Sequence, residues 1–418
     1  MNEVKASIIT IGDELLIGQT IDTNSAFIAQ ELNKIGIWVR RRLAIGDVEA
    51  DILKSLSEES GSSKVIIITG GLGPTGDDIT KQVLANYFNS GWTTNEEALK
   101  NVVDIFNKLN RPLIERNLKQ AEVPDNCVVL QNKRGTAPGM WFEKDEVIVI
   151  SLPGVPNEMK GLMIESVIPR LKKLSLPHVL HKTLLLAGKG ESEIAELIKS
   201  YEVSLPDHIK LAYLPAYGLL RLRLTGKSEK GDFLEKEINT LFKQLVQMVQ
   251  PWIIAEEDIT VPMALIRILK KYGKTIGTAE SCTGGFIAQQ ITAIPGASNV
   301  FNGSIVSYAN RVKEAVLGVK EETLKTYGAV SEETVKEMLQ GMIGNLNTDY
   351  GIATSGIMGP DGGSEQKPVG TVWIAIGNRN TIRATKYHLR FNRERNIEQT
   401  AYLGMVSLFK FIKEVEGQ

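Results

Sequence analysis

Along the first 70 residues, short β-favouring apolar runs alternate with amphipathic helical stretches, and this alternation limits the fold more than any other feature. ASIITIG reads as a strand, NSAFIAQELNKIG as a helix ending at Gly36, and WVRRRLAIG as a second strand. EADILKSLSEES follows as a second helix and KVIIITGG as a third strand. Such alternation predicts an α/β fold built on a parallel sheet. In these sheets the ligand site lies beyond the carboxyl ends of the strands. Three polar loops fall at that edge: GDELLIGQTIDTN, GGLGPTGDDIT and, later, SLPGVPNEM.

The second loop says most about chemistry. Gly70, Gly71, Gly73, Thr75 and Gly76, with Pro74, form a rigid turn whose open N–H groups suit phosphate or a similar anion. Asp77 and Asp78 follow where a helix begins. Adjacent carboxylates beside an anion nest suit a divalent metal such as Mg²⁺. The plainer use of either aspartate is to cap that helix. Asp13, Glu14 and Asn24 lie on the neighbouring loop and could complete the site.

At 418 residues the chain predicts two or three domains. Lys and Arg total 48 against 49 Asp and Glu, so nothing electrostatic points to nucleic acid or a membrane surface as the main partner. No window is apolar enough to span a membrane, and MNEVKASIITIGDE lacks a secretion signal. Cys127 and Cys282 are too few for a disulfide framework or a zinc site. A cytoplasmic location is expected. A homodimer is expected because soluble oligomers are most often twofold.

From about residue 174 the pattern changes to β-α-β-β-α, ending near residue 255. This segment has no GXXG loop and no basic excess, and it reads as structural. AEEDITVP then marks a boundary.

The last part centres on TAESCTGG. A strand, KTIGTA, precedes it and a helix, FIAQQIT, follows. A Ser and two glycines between strand and helix place the Ser281 hydroxyl near backbone N–H groups that can stabilise an anion. That suits a serine nucleophile, although Ser281 and Thr283 also read as helix caps, the commoner use of such residues. His178, His181, His208 and His388 all lie away from the glycine-rich motifs, so a Lys or Tyr is the expected activator. Tyr308 and Lys313 fall at the end of a strand and the start of a helix, and a desolvated lysine can take a serine proton. Thr354, Ser355 and Gly356 end another strand before GPDGGSEQKPVG, where oxyanion donors and a phosphate could sit near Gly362 and Gly363.

Two resemblances rest on these motifs. TIGDELLIGQTIDTNS, TGGLGPTGDDIT and LPGVPNEM resemble the molybdopterin-binding fold of the MoaB/MogA type that opens CinA proteins. TAESCTGG, SYANRVK, TSGIMGPDGGS and KPVGTVWIA resemble the CinA C-terminal domain, which also occurs alone as a nicotinamide mononucleotide deamidase. The segment between them looks like the KH-like connecting domain of that family. The resemblance therefore implies domains at 1–173, 174–255 and 256–418. It implies a metal-dependent ADP-ribose pyrophosphatase in the first and a deamidase in the third. For the deamidase it implies Ser281 as nucleophile, Lys313 as base and Tyr308 as assistant. The amides of Cys282, Thr283 and the adjoining Gly284, with the Thr354–Ser355 corner, form the implied oxyanion hole, and no cofactor is implied there. The family name also implies a link to competence and DNA damage, with RecA as a protein partner. One departure stands out. Glu394 and Arg395 fit the deamidase pattern, but Gln399 occupies the place of an expected arginine, so a substrate phosphate is expected to be bound more weakly or to be held by Arg393.

Overall fold

The structure is a computed structural model and describes residues 4–216 and 218–417. Two compact units result: one runs to His181 and includes Gly226–Glu237, and the other comprises Lys182–Thr225 with Ile238 onward.

The first unit is a three-layer α/β domain. Its strands are β1 (Lys5–Ile11), β2 (Trp38–Ile45), β3 (Val65–Thr69), β4 (Trp92–Thr94), β5 (Glu122–Pro124), β6 (Val128–Leu130), β7 (Gly139–Lys144) and β8 (Val147–Leu152). Six of them form a sheet in the order β2-β1-β3-β8-β7-β6, and β4 and β5 pair separately. Period-two alternation divides the core. Val65 and Ile67 of β3 pack toward Ile28 and Leu32 of the helix Thr23–Lys34. Ile66 and Ile68 pack toward Ile52 and Leu56 of the helix Glu49–Ser60. The sheet is mixed, not wholly parallel as the alternation predicts. β2, β1, β3 and β8 are parallel, whereas β7 and β6 run antiparallel. The reason is local: Asp145 and Glu146 both take positive φ and close a two-residue hairpin between β7 and β8.

A buried polar knot ties β1 to the helix Glu49–Ser60. The Glu59 carboxylate is fully buried and accepts from Ser7 Oγ, from Arg40 Nη2 at 2.5 Å and from Arg41 Nη1 at 2.9 Å. Burial pushes this carboxyl up, but the Ser7 hydroxyl and the two arginines outweigh it and hold it below the usual range. A lowered folded-state value gives stability that is present above the unfolded carboxyl's pKa and is lost as pH falls through the folded one. Glu59→Gln should therefore lower stability by about 1–3 kcal/mol at pH 7, discounted because the arginines remain partly exposed. Urea unfolding at pH 7 and pH 3 checks this, since the gap between variant and wild type should close in acid.

The second unit holds β10 (Ile209–Ala216) and β12 (Ile253–Ala255), with most of β9 (His178–Ala187) and β11 (Leu219–Ser228). These form the sheet β10-β11-β9-β12, with the helices Glu191–Val203 and Gly231–Val249 in the predicted β-α-β-β-α order. The remainder is a five-stranded sheet, β14-β13-β15-β16-β17. Its members are β13 (Ile276–Glu280), β14 (Phe301–Val306), β15 (Tyr350–Gly356), β16 (Thr371–Asn378) and β17 (Ile382–His388). On β16, Val372, Ile374 and Ile376 face a core shared with the helices Val261–Tyr272 and Arg393–Glu416. Ala375 faces the helix Glu332–Leu346. β14, β13 and β15 are parallel, so three carboxyl ends lie side by side. β16 and β17 are antiparallel additions. Among the described residues no helix is long and apolar enough to cross a membrane.

Candidate functional site

Ser281 is the first residue beyond β13, the central strand of the parallel trio. Hydrogen bonds continue one step past the ladder there. Ser281 N donates to Thr354 O at 3.0 Å, and Ser307 N donates to Glu280 O at 2.8 Å. The strand end carrying the serine is thus held from both sides. The helix Asn310–Leu317 starts beyond β14 and sends Lys313 back under the same edge. Lys313 Nζ lies 3.0 Å from Ser281 Oγ and donates to Ser307 O at 2.7 Å, with Tyr308 O at 3.4 Å. The lysine is 1% exposed and the serine 9%. Burial pushes the amine below the ordinary lysine range, with a smaller opposing influence from Cys282. Burial likewise pushes the Cys282 thiol up to about 12, so that neighbour stays neutral.

A cavity of about 190 Å³ opens on this pair, with Cys282, Tyr308, Ser355, Gly356 and Arg393 in its wall. The Tyr308 phenol accepts from Arg393 Nη2 at 2.9 Å, and Arg393 Nη1 donates to Gly359 O at 2.9 Å. Tyr308 therefore meets Lys313 through its backbone carbonyl, while its hydroxyl stands at the cavity mouth with Arg393. The Thr354 and Ser355 hydroxyls have structural tasks. Thr354 Oγ1 lies 2.8 Å from Thr283 Oγ1, and Ser355 Oγ donates to Ala329 O at 2.6 Å. Thr283 and Gly284 line a neighbouring cavity of about 490 Å³ with Glu394 and Glu398. Gly362, Gly363 and Arg395 are not in the wall of the smaller cavity; the Arg395 guanidinium lies over the Phe391 ring at 5.8 Å. Gln399 sits beside Gly218 at the β10–β11 turn, so the departure at that position falls outside the cavity.

Neither Ser281 nor Thr283 caps the following helix. That helix, Phe286–Thr292, begins after Gly285 with no side-chain cap at that position. The N–H groups of Gly285, Ile287 and Ala288 at its start go instead to the side chain of Glu280, the last residue of β13. Sequence reading passes over Glu280, although a carboxylate placed just before a helix start is a recognisable signal.

In the first unit the predicted loops do converge. Asn24 Nδ2 donates to Gly154 O at 2.7 Å and lies 3.3 Å from Thr69 Oγ1, joining the loops that follow β1 and β8. Gly70 (φ +116°) and Gly71 (φ +65°) approach their neighbours closely; a Cβ would fall 2.2 Å from Ile11 O and 2.1 Å from Thr80 Oγ1. Only glycine fits that turn. Asp13, Glu14 and Asp78 stand near Asp47, and burial together with these three carboxylates pushes the Asp47 carboxyl up. Asp47 escapes sequence reading because it follows β2, outside the three polar loops. Asp78 accepts from Thr75 N at 3.0 Å and from the Thr75 hydroxyl, bracing its own loop around Gly73. Asp77 is exposed, and the helix Thr80–Tyr87 has no side-chain cap. Among the described residues no three His, Cys, Asp or Glu side chains are grouped to hold a metal ion. Asp77 and Asp78 therefore do not belong to such a group.

Fold and site together define a multidomain α/β protein with polar loops at the carboxyl edge in one unit and a buried serine–lysine pair in the other. Family models match in the same order: a probable molybdopterin binding domain over residues 7–173, a damage-inducible protein CinA KH domain over 181–255 and a CinA C-terminal domain over 259–412. A CinA-like protein of Cytophaga hutchinsonii is 43% identical over 414 residues, 99% of each chain. One from Flavobacterium psychrophilum is 45% identical over 98% of this chain and 99% of that one. A Klebsiella pneumoniae CinA superfamily structure is 32% identical, covering 37% of this chain and 96% of its own, with a TM-score of 0.36. The chain belongs to the CinA family.

Proposed function

We propose that the C-terminal domain hydrolyses the carboxamide of nicotinamide mononucleotide to nicotinic acid mononucleotide and ammonia. The observation that carries this reading is the buried Lys313 amine 3.0 Å from Ser281 Oγ. A neutral amine has two protons and one lone pair. Its protons suit the Ser307 and Tyr308 carbonyls, which leaves the lone pair facing Ser281. Ser281 Oγ attacks the carboxamide carbon as its proton passes to Lys313 Nζ. The C–N bond then breaks, Lys313 returns the proton to the departing nitrogen, and ammonia leaves an acyl-serine. Water, deprotonated by Lys313, attacks the ester and frees the acid and the serine. Splitting the reaction this way replaces one hard displacement with two easier ones. The test is ammonia release from nicotinamide mononucleotide by the purified chain, with nicotinic acid mononucleotide identified as the other product.

The cavity is ring-sized, so the ribose phosphate would remain at its mouth, beside the exposed Arg393. Losing one charge-assisted hydrogen bond costs about 1.5–3 kcal/mol, or about 10–150-fold in affinity. Arg393→Gln should raise KM for the mononucleotide by that factor with little change in kcat. Nicotinamide riboside, which lacks the phosphate, should be insensitive to the substitution; equal losses on both substrates would remove Arg393 from this role.

For the N-terminal domain we propose an ADP-ribose site, favoured by the close-packed Gly70–Gly71 turn as a backbone cradle for an anion.

A further inference from the structure

Glu280 is a fully buried carboxylate that the reaction above does not use. Its Oε2 accepts from Gly285 N and Ile287 N, each at 3.0 Å. Its Oε1 accepts from Ala288 N at 2.9 Å, from Thr278 Oγ1 at 3.2 Å and from Ser304 Oγ at 3.4 Å. Five donors on one carboxylate more than fill its roughly four lone-pair sites. Two further amides of the turn are also engaged. Gly284 N donates to Ser281 O at 3.2 Å, and Phe286 N donates to Thr283 O at 3.0 Å. Among the described residues, the amides of Cys282 and Thr283 alone between Ser281 and Ala288 donate to no protein acceptor.

We propose that Glu280 is a positioning residue: by filling the start of the following helix with its own carboxylate, it reserves the Cys282 and Thr283 amides for the oxyanion formed at Ser281. The inference rests on the serine–lysine reading of this site. Its physical basis is competition for an anion. An open helix start attracts carboxylate and phosphate groups, and here it would do so within a few residues of the nucleophile. With Glu280 in place, the anion that develops in the reaction finds only the two amides that adjoin Ser281. The same carboxylate also links the end of β13 to the helix beyond the turn, fixing the Ser281–Gly285 backbone at both ends. Preorganised donors aimed at developing charge act in the transition state, so their loss appears in kcat.

The experiment compares wild type with Glu280→Gln, which keeps the shape but turns an NH₂ group toward backbone donors. Steady-state carboxamide hydrolysis should show kcat lower by about 10²–10³-fold, the effect of losing an oxyanion donor, with KM changed less than about threefold. A second readout needs no assumption about substrate. A fluorophosphonate probe reacts with an activated serine; the Oγ–P bond forms, fluoride leaves, and the serine proton passes to the base. Labelling of Ser281, followed by intact mass, should slow in Glu280→Gln by a similar factor. Because this variant could fold poorly, Thr278→Val and Ser304→Ala serve as a second pair; each removes one hydroxyl donor, keeps the carboxylate, and should give a smaller loss of labelling rate at a wild-type melting temperature. Labelling at the wild-type rate in well-folded Glu280→Gln would overturn the proposal. So would rates in the hydroxyl variants that fall only in step with melting temperature. Wild type that labels but releases no ammonia would refute the deamidase reading and leave the role of Glu280 to be decided by labelling.

Discussion

Ser281→Ala should abolish the proposed ammonia release from nicotinamide mononucleotide, lowering kcat by at least about 10³-fold, because no acyl-enzyme can form without the hydroxyl. The loss is chemical and not structural. Ser281 holds its place through backbone bonds to Thr354 O and from Gly284 N, and alanine retains both. Its hydroxyl faces only Lys313 Nζ and a small cavity, and Lys313 keeps its bonds to the Ser307 and Tyr308 carbonyls, so the melting temperature should stay within a few degrees of wild type. A coupled ammonia assay beside thermal unfolding separates the two effects. An alanine variant that turns over at the wild-type rate would show that the cavity is not where the amide is broken.

Lys313→Met should remove nearly as much activity, about 10²–10⁴-fold, the range associated with a general base. Methionine matches the length of the buried stem and carries no amine into the core. Sign and window follow from the lowered pKa. The unfolded lysine holds its proton to higher pH than the folded one, so between the two values the unfolded chain binds more protons and stability rises with pH. Removing that amine relieves the folded state of a buried base, and Lys313→Met should melt at or above the wild-type temperature at pH 7. In the wild type, kcat/KM should climb as pH rises through the lowered lysine value, below the ordinary value of about 10.4. Lys313→Arg, charged throughout, should stay inactive across that range. A pH profile on wild type and both variants checks all three expectations. A wild-type rate in Lys313→Met would take the base role from Lys313.

Much of this was legible in the residues. The apolar run of β3 and its alternating neighbours announce a sandwiched strand, and a glycine turn such as Gly70–Gly71 is marked by its composition. TAESCTGG likewise places a serine between a strand and a helix. These signals are local, with periods of two or 3.6 residues or a required backbone angle, and they need no knowledge of distant contacts. Less legible were the antiparallel strands β7, β6, β16 and β17, since a strand's direction depends on how the chain returns to the sheet. Asp47 was hidden for a similar reason: it becomes interesting only when Asp13, Glu14 and Asp78 arrive beside it.

The sequence by itself determined the α/β class, the loops that reach the strand edges and the serine at the centre of one of them. Tertiary structure decided which groups act together. It brings Lys313 to Ser281 across 32 positions and joins Arg393 to Tyr308 across 85. It also buries Glu280 where three backbone amides and two hydroxyls compete for it. Desolvation and hydrogen-bond competition are properties of the packed interior, and no spacing along the chain encodes them directly.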